Sequence, residues 1–232
     1  MPAPYKSALI VGTGPGISAS LARLFARNGL RVAVAARDTD KLAALAAETG
    51  AATFALDATD AEQVASLFEA LDEAGATPDL VVYNASGRVR GPIVDLDPAD
   101  VARSISVSAF GAFLVAQQAA RRMLPNRHGA IALTGATAGI KGFAHSAPFA
   151  MGKFALRGLA QSLARELQPQ GIHVLHVVVD GAVRAAHRLD PPDRPDSTLD
   201  PDAIALSFWH TLQQHRSAWS WEIEVRPWVE KF

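Results

Sequence analysis

The 232-residue chain has no cysteine, which excludes disulfides, thiolate nucleophiles and thiolate metal sites and agrees with a reducing compartment. It also lacks a surplus of either charge: 22 basic and 23 acidic residues leave a formal net charge of −1, with no block of like sign. Without a basic stripe there is no electrostatic footprint for nucleic acid or an anionic membrane, so the expected partner is a small molecule. No uninterrupted apolar run reaches membrane-spanning length, and Met1 to Lys6 carries Pro2 and Pro4 rather than a basic and apolar leader. These absences predict a cytoplasmic protein. No histidine pair has helical i, i+4 spacing, and His173 and His176 on a predicted strand point to opposite faces, so no metal is expected.

What is present is organised around Ala8 to Ser18. The apolar run Ala8-Leu9-Ile10-Val11 turns through Gly12, Thr13, Gly14, Pro15 and Gly16 into an amphipathic segment from Ile17 and Ser18 to Asn28. Strand, tight loop and helix in that order form the context of a dinucleotide-binding fingerprint, in which bare backbone approaches a diphosphate and the helix start offers N–H groups. An unliganded turn is the plain alternative. Ser18 stands where the fingerprint has a third glycine, which predicts slightly looser packing of helix on strand.

A second strand, Leu30 to Ala36, ends at the position where such folds choose between cofactors. Ala36 offers no carboxylate to a ribose hydroxyl, whereas Arg37 can form charge-assisted bonds to a 2′-phosphate, so NADP(H) is preferred over NAD(H). Alternatively Arg37 is merely solvated beside a helix capped by Asp38 or Thr39. A helix over Thr39 to Glu48 is closed by Gly50, and a third strand from Ala51 to Leu56 runs into Asp57 and Ala58. Asp57 either binds the adenine amino group or serves its own turn. After a helix over Asp60 to Ala74, Asp79 to Tyr83 is a fourth strand entering the polar turn Asn84, Ala85, Ser86, Gly87.

Through Gly12-x-x-x-Gly16-Ile17, Asp57-Ala58 and Asn84-Ala85-Ser86-Gly87 the chain resembles the short-chain dehydrogenase/reductase family. The expected fold is α/β, a Rossmann-type doubly wound, predominantly parallel seven-stranded sheet with helices on both faces, in one domain over residues 1–232. Pro98 to Leu124 reads as a long helix with a weak middle at Ser104 to Ser108. Gly129 to Gly135 is a fifth strand, a helix carries Phe149 through Gln168, and Gly171 to Val179 is a sixth strand. Ala185 to Asp200, rich in proline and charge, is the place where the family has its substrate lid. Pro201 to His215 is a last helix and Ala218 to Val225 a last strand, with Trp219 and Trp221 on one face for an interface or for core packing.

The resemblance implies hydride transfer between a nicotinamide and a carbonyl, with a tyrosine as proton donor beside a lysine one helical turn on. Here the tyrosine aligns with Phe149, the lysine with Lys153, the oxygen-binding serine with Ala136 and the helix asparagine with Ser108. A phenyl ring has no proton to give. His145 is the nearest substitute acid, unless it is an ordinary loop histidine. Lys153 is also expected on the nicotinamide ribose, and Gly181 and Val183 beside the nicotinamide. The resemblance implies a homo-oligomer, dimer or tetramer, paired through the two longest helices. Three functions remain: an NADP(H)-dependent oxidoreductase on an unknown small substrate, a silent NADP(H)-binding sensor or partner subunit, and a structural scaffold.

Overall fold

Strand β1, Ser7–Val11, is buried along its whole length and ends at Gly12, whose φ is +84°. A Cβ there would stand 2.3 Å from the Ala85 nitrogen, so the left-handed turn and the close approach of a second loop both demand glycine. In the computed structural model of the chain, residues 5–230 are described; part of the segment Met1 to Lys6 and the last two residues lie outside them. After β1 come α1 (Ile17–Arg27), β2 (Arg31–Ala36), α2 (Ala43–Thr49), β3 (Ala52–Ala55), α3 (Ala61–Glu73) and β4 (Leu80–Tyr83). The second half carries α4 (Pro98–Ile105), α5 (Gly111–Met123), β5 (Gly129–Thr134), α6 (Ala147–Leu167), β6 (Ile172–Val179), α7 (Pro201–Leu212) and β7 (Glu222–Val225).

The strands form one parallel sheet in the order β3-β2-β1-β4-β5-β6-β7. The expected doubly wound α/β sheet is thus observed, and every pairing in it is parallel. One core joins the sheet to α1 and α7 through Phe25, Phe208 and Trp209; the other joins it to α3, α5 and α6 through Phe68, Val115 and Leu156. Coverage on both faces is why the central strands read as unbroken apolar runs rather than alternating ones. Each fully buried side chain such as Phe25 contributes roughly 1.5–3 kcal/mol. The chain reverses its winding between β1 and β4, which opens a crevice at their carboxyl ends.

Local signals act as anticipated at several ends. Asp60 accepts from the Glu62 and Gln63 amides to start α3, and Gly50, at φ +69°, closes α2. The single helix expected from Pro98 is divided by a π-helical turn, Ser106–Phe110, in the region poor in helix formers. A correction concerns apolar length. The helical stretch Pro98–Asn126 is long and apolar enough to cross a membrane by length and composition, with mean hydropathy 1.4 in its best window. Its polar residues interrupt any single run but not the average, and Val115, Ala116, Ala119 and Met123 are buried against the sheet.

The last strand is shorter than expected, because Arg216–Ala218 forms a 3-10 turn and pairing begins only at Glu222. Trp219 and Trp221 therefore precede the strand. Trp219 stacks on His173, 4.7 Å between ring centroids, and donates Nε1–H to the Gln214 carbonyl oxygen. The segment Ala185 to Asp200 is irregular but braced: Arg184 reaches Asp190, Asp196 and Asp200 at 2.7, 3.2 and 3.0 Å.

Candidate cofactor and active site

The crevice holds a cavity of about 400 Å³ lined by Gly12, Thr13, Gly14, Arg37, Asp57, Ala58, Asn84, Ala85 and Ser86. A second cavity of about 280 Å³ shares Gly12, Gly14 and Asn84 and continues past Gly16 and Ile17 to Val183 and Arg188. The two form one trough from the β2 end to the segment after β6. Gly14 and Gly16 have nothing within 4 Å of where a Cβ would stand, so protein packing does not require their bareness. Helix α1 begins without a side-chain cap. An uncapped helix start facing open space beside bare backbone fits a diphosphate.

Ser18, the departure from the fingerprint, is buried and bonded on both sides. Its hydroxyl donates to the Gly12 carbonyl oxygen at 3.1 Å and accepts from Asn84 Nδ2 at 2.8 Å. Asn84 thereby ties the β4 turn to the glycine loop. At the far end of the trough Arg37 is exposed, and Lys41 lines the same cavity beside it. Asp38, whose carboxylate would repel a phosphate, is occupied: Oδ2 pairs with Lys41 at 2.7 Å and Oδ1 accepts from the Asp40 amide. Asp57 Oδ1 accepts from the Thr59 amide and hydroxyl at 2.9 and 2.7 Å. Those bonds, helped by Arg37, hold its carboxyl below the usual range.

On α6, Phe149 and Lys153 lie on one buried face. Lys153 Nζ donates to the Thr134 carbonyl oxygen at 2.7 Å and sits 5.9 Å from the centre of the Phe149 ring. Burial, reinforced by Arg88, pushes the Lys153 ammonium down to about 8. Ala136 is extended just before the turn Thr137–Gly139, against which α6 packs so closely that a Cβ on Gly139 would stand 3.1 Å from the Lys153 carbonyl oxygen. Ser108 is fully buried in the π-helical turn, and its Oγ accepts from the Gly87 amide at 3.0 Å.

His145 is exposed with φ +59°, and its ring has no hydrogen-bond partner among the described residues; its carbonyl oxygen accepts from the Gly91 amide at 3.1 Å. Gly181, at φ +149°, lies under Pro227, where a Cβ would meet the ring at 2.8 Å. Val183 pairs with Leu199 at the edge of the trough. Asp180 is bonded by the Thr137 hydroxyl at 2.5 Å and paired with Arg226 at 3.3 Å, so it links the β5 turn to the C-terminal segment.

Three basic residues went unnoticed in the sequence. Lys41 joins Arg37 because the 3-10 turn Asp40–Leu42 brings it back over the strand end. Arg188 reaches the trough from the irregular segment, donating to the Val183 carbonyl oxygen at 3.3 Å. Arg88 lies over the Phe149 ring, 4.7 Å from its centre. Only Lys41 had a local signal, its closeness to Arg37.

A model of the family described as short chain dehydrogenase matches residues 6–189. An uncharacterised oxidoreductase of Staphylococcus aureus (strain N315) is 29% identical over 228 residues, covering 96% of this chain and 97% of its own. Among solved structures, a short-chain dehydrogenase from Rhodopseudomonas palustris is 33% identical with a TM-score of 0.83, over 96% of this chain and 99% of that one. A metagenomic short-chain oxidoreductase in complex with NADP is 26% identical with a TM-score of 0.84, over 98% and 99%. A likeness that runs from β1 past β6 takes in the catalytic half as well as the glycine loop, and the chain therefore belongs to the short-chain dehydrogenase family.

Proposed function

We propose that this chain is an NADP(H)-dependent oxidoreductase of the short-chain type with an altered proton-donor set, acting on a small organic substrate. The observation that carries this reading is Lys153, buried at the carboxyl end of β5, held on Thr134 and with its pKa lowered to about 8. A buried cation with no role would be costly. The trough and the NADP complex of the metagenomic relative support the cofactor.

When bound, the nicotinamide supplies or accepts hydride. Arg37 and Lys41 would hold the 2′-phosphate, Asp57 the adenine, the amides after Gly14 the diphosphate, and Lys153 the nicotinamide ribose. Gly181 and Val183 would flank the nicotinamide. Phe149 occupies the tyrosine's place and excludes water without giving a proton, and Ala136 leaves the substrate oxygen without its usual hydroxyl donor. The proton then comes from Lys153 Nζ, from water or from the substrate, with the His145 ring as the remaining candidate.

The same reading takes the chain as a single cytoplasmic domain that pairs with copies of itself. Phe110, Phe113, Met151 and Phe154 are each 40–53% exposed along the α5 and α6 side. Apolar side chains gathered in this way favour an interface. The test of function is NADPH oxidation against a panel of carbonyl and enoyl compounds. Turnover of activated substrates with weak activity on simple ketones is expected, and ordinary turnover of simple ketones would refute the altered site.

A further inference from the structure

Arg88, Arg90 and Arg188 are exposed cations close enough to act on one another's charge, and Arg188 lines the second cavity. None has a carboxylate within ion-pair distance among the described residues. Arg23 pairs with Glu48, Arg122 with Asp72, Arg157 with Glu222 and Arg184 with three aspartates, whereas other exposed arginines, Arg37 among them, pair with no carboxylate among the described residues. Burial depresses the Arg88 pKa, and the charges of Arg90 and Arg188 depress it further. Like charges gathered without a counter-ion destabilise the fold unless a ligand supplies one.

The loop carrying Arg88 is held at both ends. The Gly87 amide donates to Ser108 Oγ at 3.0 Å, and the Gly91 amide donates to the His145 carbonyl oxygen at 3.1 Å. Gly87 is also pressed on α4, where a Cβ would lie 2.4 Å from Ser104 Cα. So fixed, the loop sets the Arg88 guanidinium over the Phe149 ring, 4.7 Å from its centre, on the same ring that Lys153 approaches to 5.9 Å. A guanidinium resting on an aromatic face keeps its N–H edge available, and Arg88 donates no hydrogen bond among the described residues.

We propose that Arg88 is the anion-binding residue of this site and that the substrate carries an oxyanion, a carboxylate or a phosphate, beside its reacting carbon. The inference rests on the oxidoreductase reading and deepens it. The planar fork of Arg88 pairs with two oxygens of such a group. Phe149 then has a use besides excluding water, as a platform for the cation. Arg188 lines the cavity of Gly14 and Gly16 and belongs with the cofactor's diphosphate, while Arg90 adds a like charge felt at Arg88.

The test is calorimetric binding to the protein saturated with NADP⁺, using 2-oxobutyrate, dihydroxyacetone phosphate and neutral 2-butanone. At least one anion should bind tenfold or more tightly than the ketone, and the tighter of the two tells carboxylate from phosphate. Arg88→Gln should raise the Kd of that anion about tenfold to a hundredfold and leave the Kd of NADPH unchanged. Arg88→Lys should retain part of the affinity, and Arg27→Gln, distant from the trough, all of it. Equal binding of anion and ketone, or an anion Kd indifferent to Arg88→Gln, would overturn the proposal. So would a weakened NADPH in Arg88→Gln, which would assign the residue to the cofactor. If the wild type bound no NADPH, the cofactor reading would fall, and titration without cofactor would still decide the role of Arg88.

Discussion

Lys153 Nζ is bonded to the carbonyl oxygen of Thr134 at 2.7 Å. This bond holds the ammonium at the carboxyl end of β5. With its pKa down to about 8, Lys153 carries its proton below that pH and loses it above. If it gives that proton during reduction, kcat/KM should fall as pH rises through about 8, and the oxidative direction should show the reverse limb. Lys153→Met should remove the limb along with most activity.

Cofactor choice is testable at Arg37. Arg37→Ala should weaken NADPH about tenfold or more while NADH binding changes little, since charge-assisted hydrogen bonds are worth roughly 1.5–3 kcal/mol. In wild type, NADPH at a hundred times its Kd should stabilise folding by about 2.7 kcal/mol. Equal thermal shifts with both cofactors would exclude the assignment.

The pair Phe149 and Ala136 predicts a gain of function that neither position gives alone. A positioned general acid contributes a factor of about 10² to 10⁴, so Phe149→Tyr with Ala136→Ser should raise the rate on simple ketones more than the product of the single effects. The single-turnover rate is the measurement. His145→Ala tests the other donor, because it removes the ring while sparing the carbonyl that holds Gly91; an unchanged rate would leave Lys153, water or the substrate as the source.

The apolar side of α5 and α6 predicts a multiple of the 24.5 kDa chain in solution. Phe113→Glu with Phe154→Glu should convert it to monomer, because two buried unpaired carboxylates per subunit cannot be accommodated. Light scattering at micromolar concentration decides, and a wild-type monomer would exclude the interface.

The chain should weaken in acid through a buried network at the sheet edge. Arg157 forks onto Glu222 at 2.7 Å, and Glu222 reaches His176 Nδ1 at 2.9 Å. Burial would raise the Glu222 carboxyl, but Arg157 and His176 bring it below the usual range, and burial lowers His176. Both depressed values have one sign. The unfolded chain takes up protons first, on imidazole below about 6.5 and on the carboxylate below about 4.3, so stability is lost as pH falls through each window. Urea midpoints should drop from pH 7 to pH 4.

The parts legible in the sequence are those with local causes. Gly12 is forced by its own φ and by Ala85, Asp60 caps the helix it precedes, and the weak middle of the Pro98 helix becomes its π-helical turn. Trp219 was misplaced because a 3-10 turn, set by contacts with Gln214, delays the strand. Arg88 could not be found locally: its meeting with Phe149 joins the segment after β4 to the helix after β5, and only the completed sheet brings them together. Ser108 and His145 are informative in the same way, since what they hold is a loop far from them in sequence.

The π-helical turn at Ser106–Phe110 contains one residue more than an α-helix of equal span would need. That residue is stowed as a bulge. With it in place, Ser108 faces Gly87 and Gly152 while Val115 and Ala119, further on, face the sheet. Deleting one residue there would restore a regular helix of the same span and leave the turns on either side in phase. The core-facing residues would keep their places, and only the bulge that anchors the Arg88 loop on Gly87 would go. A chain with that deletion should fold and melt nearly as the parent does, with its change confined to the Arg88 loop, which makes this turn a natural point for function to be altered by insertion or deletion rather than by substitution.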